Sequence, residues 1–411
     1  MCCRGVTGIL RAKFTAFCKQ CTLHGFCYLS VGVHRTVWGF VIVASLCLCA
    51  TLGAMIWNKF VEDPTFTVVE SAHYPTENIP FAAVAVCDAH IYGPATSNVS
   101  NILTLRGFNT TQIQNFYSSF TRIKSKKYSP EAHVLQIHSV LEDLGFTYYD
   151  LTHQFRKPCE ELIKECSWRE MPLNCTMMFR EVFTYYGHCC QFDMEYFKKF
   201  AENETNLTAG VDKSEALDII VDSKRVLPNG AVQNGYVELF VFDQNHRLTF
   251  LDGPINLTPA TYFDVTVELW VIEASSDVRR LSLRSRKCFL DSDEVNIDSY
   301  QSCISRWVMK EIVAKCRCLP FDYGDKVQGA IRSILTEREC YQKCDYVQYE
   351  TEVEYTRPQR RRGVESRNTE NRGLSRVAVH YANNICIKYR REVLYTWDQM
   401  LGQCRPLKSS R

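Results

Sequence analysis

The sequence predicts an α+β fold in which an N-terminal transmembrane helix precedes a disulfide-rich extracellular domain with a central β-sheet and peripheral helices. Three observations support this fold class: one long uncharged segment near the N-terminus, cysteines concentrated after that segment, and strand-like alternation of apolar and polar residues in mid-chain. Segments with helical periodicity on either side of the alternating stretch predict the peripheral helices.

The uncharged segment spans residues 36–57, and no comparable segment follows it in the sequence. At 1.5 Å per residue, these 22 residues form a helix of about 33 Å, long enough to cross a hydrocarbon core of about 30 Å. A cleaved signal peptide is the alternative, but its apolar part has about 7 to 15 residues and ends at a small-residue cleavage site. The flank at residues 56–60 lacks such a site, so the segment is expected to anchor the chain.

Charge on either side of the segment predicts its orientation. Residues 1–35 carry five Lys or Arg and no acidic residue, whereas residues 58–80 carry one Lys against four acidic residues. Because cytosolic flanks are enriched in Lys and Arg, the N-terminus is expected in the cytosol and the bulk of the chain outside the plasma membrane. The outer part has 43 basic and 46 acidic residues, and this near-neutral balance favours no nucleic-acid partner.

Cysteine usage agrees with an extracellular location. Of 21 cysteines, 14 lie beyond the apolar segment, where an oxidising compartment favours disulfides. Most fall into two clusters, which indicates two separately cross-linked regions: Cys159, Cys166, Cys175, Cys189 and Cys190, then Cys288, Cys303, Cys316, Cys318, Cys340 and Cys344. The short spacings Cys316-x-Cys318 and Cys340-x3-Cys344 also suit zinc, but oxidation outside the cell favours disulfides, and no metal site is predicted.

Six Asn-x-Ser/Thr sequons lie beyond the apolar segment, where roughly two are expected by chance for this composition. Their excess indicates a glycosylated ectodomain. The acceptor asparagines are Asn98, Asn109, Asn174, Asn203, Asn206 and Asn256.

Residues 261–274 alternate apolar and polar side chains, which is the period of a half-buried strand. One face holds Phe263, Val265, Val267, Leu269 and Val271, and the other holds Tyr262, Asp264, Thr266 and Glu268. A shorter alternation over residues 236–242 predicts a second strand. Both lie in the cysteine-free stretch between the clusters and are expected to form a central sheet.

Two segments show helical periodicity. Residues 131–143 place an apolar stripe on one side of a helix, formed by Val134, Ile137, Leu141 and Leu144. Ile304, Val308 and Ile312 recur every four residues in a second helix. Both stripes are expected to pack on the core.

Residues 357–376 contain seven arginines and few apolar residues, which predicts a solvated loop. Within it, residues 360–362 form a triple arginine that a proprotein-processing enzyme would also recognise. Charge runs are usually solvated surface, so the loop is the preferred interpretation.

The sequence lacks enzyme and cofactor signatures. It contains no G-x-S-x-G elbow, no H-E-x-x-H zinc motif and no glycine pattern for phosphate or dinucleotide binding. The acidic run Asp291, Asp293 and Glu294 lacks the Gly and terminal Glu of an EF-hand loop and predicts a solvated turn. The protein is therefore not expected to be an enzyme, and no cofactor is predicted.

Six segments carry ordered motifs of one known family. They are F-C-x2-C-T-L-H-G at residues 17–25, I-P-F-A-A-V-A-V-C-D at 79–88, F-T-x2-G-x-C-C-x-F at 183–192, R-K-C at 286–288, C-R-C-L-P at 316–320 and I-K-Y-R-R-E-V-L-Y-T-W-D-Q-M-L at 387–401. Together they resemble the degenerin and epithelial sodium channel family, most closely its insect pickpocket branch. Ala82 and Asp88 depart from the family's second motif.

The resemblance implies a subunit of an amiloride-sensitive-type sodium channel. Such subunits assemble with homologous subunits as homo- or heterotrimers in the plasma membrane, and sodium ions cross passively through the complete pore. Their first motif ends in a His-Gly pair associated with gating, which here is His24 and Gly25. A receptor or adhesion ectodomain with a single span is an alternative from another class, but it has no need of the motifs at residues 17–25 and 387–401.

The resemblance also implies a nested disulfide ladder, with Cys288–Cys344 as the outer rung and Cys303–Cys340 as the next. The third rung is absent at both ends, because Trp307 and Arg338 occupy its positions. Cys316 and Cys318 are left without assigned partners. Cys87, Cys159, Cys166 and Cys189 are also expected to form disulfides, with their pairing left open.

Family members have a second membrane helix that lines the pore. After Leu401 this chain continues as G-Q-C-R-P-L-K-S-S-R, which is too short and polar to span a membrane. The expected domains are therefore residues 1–35 in the cytosol, 36–57 in the membrane, 58–401 as the extracellular cysteine-rich domain, and 402–411 as a divergent tail. This organisation leaves open a shortened channel subunit and a non-conducting subunit that modulates complete ones.

Overall fold

The computed structural model of the chain describes residues 13–18, 20–21, 28–29, 35–88, 98–122, 129–192, 197, 210–226, 232–234, 237–293, 299–317, 340–357 and 373–394. The chain forms two compact units. The first unit contains residues 1–66, 276–286 and 392–411, and the second contains residues 67–275 and 287–391.

Helices and strands largely occur in separate runs along the chain, which is typical of an α+β fold. The helices are α1 (Arg35–Glu62), α2 (Asn98–Leu105), α3 (Thr110–Arg122), α4 (Ala132–Asp143), α5 (Tyr148–Phe155), α6 (Cys159–Leu162), α7 (Cys175–Met178), α8 (Ser276–Arg279), α9 (Leu283–Arg286) and α10 (Tyr300–Cys316). The strands are β1 (Thr65–Pro75), β2 (Ala83–Cys87), β3 (Ile163–Trp168), β4 (Met171–Pro172), β5 (Phe179–Thr184), β6 (Gly187–Phe192), β7 (Leu217–Asp222), β8 (Lys224–Val226), β9 (Val232–Asn234), β10 (Val237–Phe242), β11 (Ile255–Leu257), β12 (Tyr262–Ala274), β13 (Cys288–Phe289), β14 (Gln342–Lys343), β15 (Tyr346–Thr356), β16 (Leu374–Tyr381) and β17 (Ile385–Val393).

Helix α1 is the main element of the first unit. It has 28 residues and therefore extends about 42 Å, and none of its side chains is buried. Apolar side chains cover all of its faces, which is typical of a helix surrounded by lipid. In the part of the chain that the structure describes, it is the one helix long and apolar enough to cross a membrane. It contains the whole predicted span and continues to Glu62.

The larger sheet of the second unit is organised around β12. Strand β15 runs antiparallel along one edge of β12, from Tyr262↔Thr356 to Ile272↔Tyr346. The other edge is shared by two parallel strands, with β16 beside residues 262–267 and β17 beside residues 270–274. The full order is β1-β17-β12-β16-β7-β3-β4, with β15 added to β12. The predicted central sheet is confirmed for β12, but β10, which was expected in the same sheet, belongs to a second one, because its ladder partners are β2 and β11.

A second sheet has the order β11-β10-β2-β6-β5. Its middle strand β2 is buried at every position, because successive side chains enter different clusters on its two faces. Val84 and Val86 join the main core with residues of the larger sheet, whereas Ala83, Ala85 and Cys87 join a smaller cluster. The family's apolar motif thus forms a strand covered on both sides.

Phe81 lies at the centre of the main core and is fully buried. Its ring lies 5.0 Å from Trp168, 5.6 Å from Tyr381 and 6.1 Å from Phe192, measured between centroids. These contacts join segments before β2, in β3, in β6 and in β16. Burying one such ring stabilises the fold by about 1.5–3 kcal/mol relative to leaving it exposed.

Helices α2, α3, α4 and α5 pack around a separate apolar cluster. Its members are Val99, Leu103, Ile113, Phe116, Tyr117, Val134, Ile137, Leu141 and Leu151. The predicted stripe on α4 contributes Val134, Ile137 and Leu141. Leu144 was wrongly placed in that stripe: it caps the C-terminus of α4 and is 41% exposed, because the helix ends before its side chain reaches the buried side.

Two other sequence predictions are corrected. Ile304, Val308 and Ile312 of α10 are only half-buried, and the buried side of the helix instead carries Ser302, Cys303, Ser305 and Met309. The disulfide of Cys303 sets which side of α10 faces inward. The predicted loop at residues 357–376 extends too far, because β16 already begins at Leu374. The triple arginine at residues 360–362 lies outside the described residues.

Candidate functional site

Three disulfides cross-link the strands and short helices around β6. Cys189 and Cys190 are adjacent, so their side chains point to opposite faces of the strand. Cys189 bonds Cys87, its direct partner across the β2–β6 ladder, and Cys190 bonds Cys159. The two faces of one strand are thereby fixed to two different segments of the chain.

The third disulfide joins Cys166 to Cys175. All four cysteines of this region that the sequence assigned to disulfides are therefore bonded, namely Cys87, Cys159, Cys166 and Cys189. Their partners include Cys175 and Cys190, which belong to the first cysteine cluster but were not assigned to a disulfide from the sequence.

The second cysteine cluster surrounds α10. Cys288 bonds Cys344, and Cys303 bonds Cys340, which are the two rungs that the family resemblance implied. Since Cys340 and Cys344 are in disulfides, they do not offer a pair of thiolates to zinc. Cys318 and the side chain of Cys316 lie outside the described part of the chain, as does Arg338. Trp307, at the missing third rung, is 54% exposed on α10.

Four of the six sequons lie in the described regions, and all four asparagines are exposed: Asn98, Asn109, Asn174 and Asn256. Asn109 Oδ1 accepts a 2.9 Å hydrogen bond from the backbone of Gln112, and Asn174 Oδ1 accepts one of 3.1 Å from Thr176. Both side chains cap the helices that follow them through oxygen, which leaves the amide nitrogen for a glycan. Asn203 and Asn206 lie outside the described residues.

His24 and Gly25, the predicted gating pair, also lie outside the described residues. The structure therefore adds no geometry to that prediction. The preceding Cys18 and Cys21 are free thiols in the first unit.

A polar network that includes the buried side chains of Asp264 and His380 joins β12 to β16. Asp264 Oδ1 lies 2.8 Å from His380 Nε2, while the other carboxylate oxygen contacts Lys213 Nζ. His380 Nδ1 lies 3.0 Å from the Tyr381 carbonyl oxygen, so both ring nitrogens face acceptors. Burial would raise the pKa of Asp264, but the hydrogen bonds from Lys213 and His380 hold that pKa below its ordinary value.

The sequence analysis placed Asp264 on the polar face of β12, and the structure nevertheless buries it. A carboxylate can be buried when hydrogen-bonding partners compensate its lost hydration, and Lys213 and His380 both lie far away in sequence. The alternation of apolar and polar residues along one strand contains no information about such distant partners.

A family model described as amiloride-sensitive sodium channel matches residues 17–405 of this chain. The chain is 21% identical to Pickpocket protein 11 of Drosophila melanogaster, over 97% of this chain and 73% of that protein. It is 24% identical to Sodium channel protein Nach of the same organism, over 49% of this chain and 42% of that protein. It is 22% identical to Pickpocket protein 28, also of Drosophila melanogaster, over 45% of this chain and 28% of that protein.

The chain belongs to the amiloride-sensitive sodium channel family, also called the degenerin and epithelial sodium channel family. Proteins of this family are membrane ion channels and not enzymes, so the chain is a sodium channel family subunit. Its similarity to pickpocket proteins agrees with the branch that the motifs indicated.

Proposed function

We propose that this chain is a subunit of an amiloride-sensitive sodium channel of the plasma membrane, assembled with homologous subunits as a trimer. The family match across residues 17–405 carries the proposal, because it includes the cytosolic motif, the membrane helix and both cysteine clusters. Helix α1 supplies a span of sufficient length and uniform apolarity.

The orientation is part of the proposal. The five basic residues in 1–35 favour a cytosolic N-terminus. The five disulfides and the four exposed sequon asparagines of the second unit favour an oxidising, glycosylating compartment for the remainder of the chain.

The test is a recording of sodium current from cells that express the full chain with a pickpocket relative, compared with cells that express the relative alone. The proposal expects the chain to reach the surface, to co-purify with the relative and to change the amiloride-sensitive current. An increased current supports a conducting subunit, and a decreased current at equal surface amount supports a modulating subunit. Failure to co-purify together with an unchanged current contradicts both and favours a receptor or adhesion protein.

The proposed gating role of Gly25 has its own test. Gly25→Ser is expected to change the open probability of the assembled channel without changing its surface amount. Gly8→Ser is a matched control, because Gly8 is in the same segment but precedes the family match at residue 17. Equal single-channel records for the two variants would contradict a gating role for Gly25.

A further inference from the structure

Two histidines and a glutamate converge where α5 packs against the β5–β6 hairpin. His153 belongs to α5, Glu181 to β5 and His188 to β6. One potential ligand atom from each residue lies within 4.8 Å of those of the other two. Within the described ranges of the chain, this is the one group of three or more His, Cys, Asp or Glu side chains with that geometry.

Strand register brings the two hairpin residues together. Glu181 is opposite Cys190, so His188 occupies the diagonal position on the same face of the hairpin. His188 Nδ1 lies 2.9 Å from Glu181 Oε1. The rigid hairpin therefore presents one nitrogen and one oxygen ligand at fixed separation.

Helix α5 contributes the third potential ligand, His153. His153 Nδ1 lies 3.5 Å from the same Glu181 oxygen and is buried without a hydrogen-bond partner. The His153 and His188 rings are 5.2 Å apart between centroids. His153 stacks on Tyr149, with 5.7 Å between ring centroids, which limits the orientations of its ring.

These separations suit a small tetrahedral cation. Zinc binds imidazole nitrogen and carboxylate oxygen at about 2.0–2.2 Å, which places neighbouring ligand atoms about 3.3–3.6 Å apart. The observed His153–Glu181 contact of 3.5 Å lies within that range, and the His188–Glu181 contact of 2.9 Å is slightly shorter. Two imidazoles with one carboxylate favour zinc over calcium or magnesium, which prefer oxygen ligands alone.

Hydrogen bonding around His188 favours a cation at Nδ1. Thr152 Oγ1 donates to the Tyr149 carbonyl oxygen at 3.0 Å and lies 3.2 Å from His188 Nε2, so Nε2 donates to it. In the tautomer that this contact selects, Nε2 carries the proton and Nδ1 carries a lone pair. The Nδ1 lone pair then faces a carboxylate oxygen, and a cation between two such acceptors stabilises both.

We propose that His153, Glu181 and His188 form a zinc-binding site that ties α5 to the β5–β6 hairpin, with Thr152 orienting the His188 ring. Water completes the tetrahedron, since three protein ligands leave one position open. The bound ion adds a cross-link between two elements that already meet through ring contacts and the Thr152–His188 hydrogen bond. Of its three ligands, His188 alone lies within one of the six family motifs. Binding does not depend on ion conduction.

Arg156 sets the strength of this site. Its Nε contacts Glu181 Oε1, and its Nη1 donates to the His153 carbonyl oxygen at 2.6 Å. The guanidinium therefore competes with zinc for the carboxylate, and its charge repels the ion. Zinc binding requires Arg156 to release Glu181, which predicts a moderate affinity that increases when the guanidinium is removed.

The test measures zinc binding to the full chain purified in detergent, with zinc chloride alone as the probe and calorimetry as the readout. His153→Gln is expected to weaken binding by at least about 10-fold, the lower range for disturbing a metal site. His138→Gln is the matched control, because His138 is an exposed histidine that also lies beside a glutamate, Glu142, at 3.8 Å. Arg156→Gln is expected to tighten binding severalfold.

Thr152→Val separates an orienting role from a merely structural one, because it removes the hydroxyl with little change of shape. We expect it to weaken zinc binding about 10- to 100-fold while the circular dichroism spectrum stays unchanged. Cobalt, bound in place of zinc, should give the visible spectrum of a tetrahedral site in the wild type and not in His153→Gln. Equal zinc affinity for the wild type and His153→Gln, or weaker binding by Arg156→Gln, would overturn the proposal.

Discussion

The two cysteine clusters stabilise their surroundings in different ways. Around β6, the bonded Cys87, Cys166, Cys189 and Cys190 are themselves members of the hydrophobic clusters, so each disulfide reinforces a packed core. Around α10, none of the described residues of the helix or of β13 and β14 belongs to a hydrophobic cluster. There the two disulfides join described elements that lie outside those clusters. We expect the first region to lose global stability when a disulfide is removed, and the second to unfold locally.

The largest effect is expected for the double variant Cys87→Ala with Cys189→Ala. This disulfide closes a loop of 102 residues, which corresponds to about 4.7 kcal/mol of unfolded-state entropy. Both side chains are fully buried, and their truncation adds the cost of a cavity. Denaturant unfolding of the purified chain should show the loss. Cys386→Ala, which removes a buried thiol without a disulfide, is the control and should cost far less.

The next effect is expected for Cys288→Ala with Cys344→Ala. The separation of 56 residues corresponds to about 4.2 kcal/mol. Because the described residues of α10, β13 and β14 lie outside the three hydrophobic clusters, the loss should be confined to these elements. Hydrogen exchange should show lost protection in those elements and unchanged protection in β2 and β10. Equal loss of protection in β2 would contradict the contrast between the two regions.

Phe81→Ala tests the packed region without touching a disulfide. Truncating this fully buried ring, which contacts Trp168, Phe192 and Tyr381, should destabilise the chain by about 3–5 kcal/mol. Phe66→Ala is the matched control, since Phe66 is 39% exposed, and it should change the unfolding free energy by about 0.5 kcal/mol or less. Similar losses for the two variants would show that the aromatic cluster does not stabilise this region.

The smallest effect concerns pH. The folded pKa of Asp264 is lower than its unfolded value of about 3.9, because Lys213 and His380 stabilise the carboxylate. The stability it contributes is therefore present above the unfolded pKa and is lost as pH falls through the lower, folded pKa. The free energy of unfolding, measured between about pH 5 and 2, should change with pH with a slope that corresponds to at most one proton from this group. Asp264→Asn should remove that component, and an unchanged acid slope would contradict it.

The sequence predicted the parts of this fold that depend on local periodicity. The alternation of residues 261–274 specified β12 because each side chain of a strand meets a fixed face. The stripe on α4 was predicted equally well up to its last turn. By contrast, the inward side of α10 depends on the disulfide of Cys303 to a residue 37 positions away, and helical spacing contains no information about that bond.

The same reasoning explains which site residues could be predicted. A cysteine is recognised from its residue type and a sequon from three consecutive residues, so both sets could be identified from the sequence. His153, Glu181 and His188 are separated by 28 and 7 residues and match no ligand spacing within one element. If the hairpin turn at Tyr185 and Tyr186 had been predicted from the sequence, the strand register would have placed Glu181 diagonal to His188. The position of α5 next to this pair depends on tertiary packing, which the sequence pattern does not contain.

The proposed channel topology requires the second unit to lie outside the cell. The direct test compares the gel mobility of the full chain from cell membranes before and after enzymatic removal of N-glycans, together with four sequon variants. Asn98→Gln and Asn256→Gln remove exposed acceptors, while Thr111→Ala and Thr176→Ala remove sequons and keep the caps made by Asn109 and Asn174.

We expect each variant to migrate one step faster than the wild type, and all five chains to migrate together after glycan removal. A wild-type chain whose mobility does not change on glycan removal, with four variants that migrate alongside it, would contradict the extracellular assignment and with it the proposed channel topology.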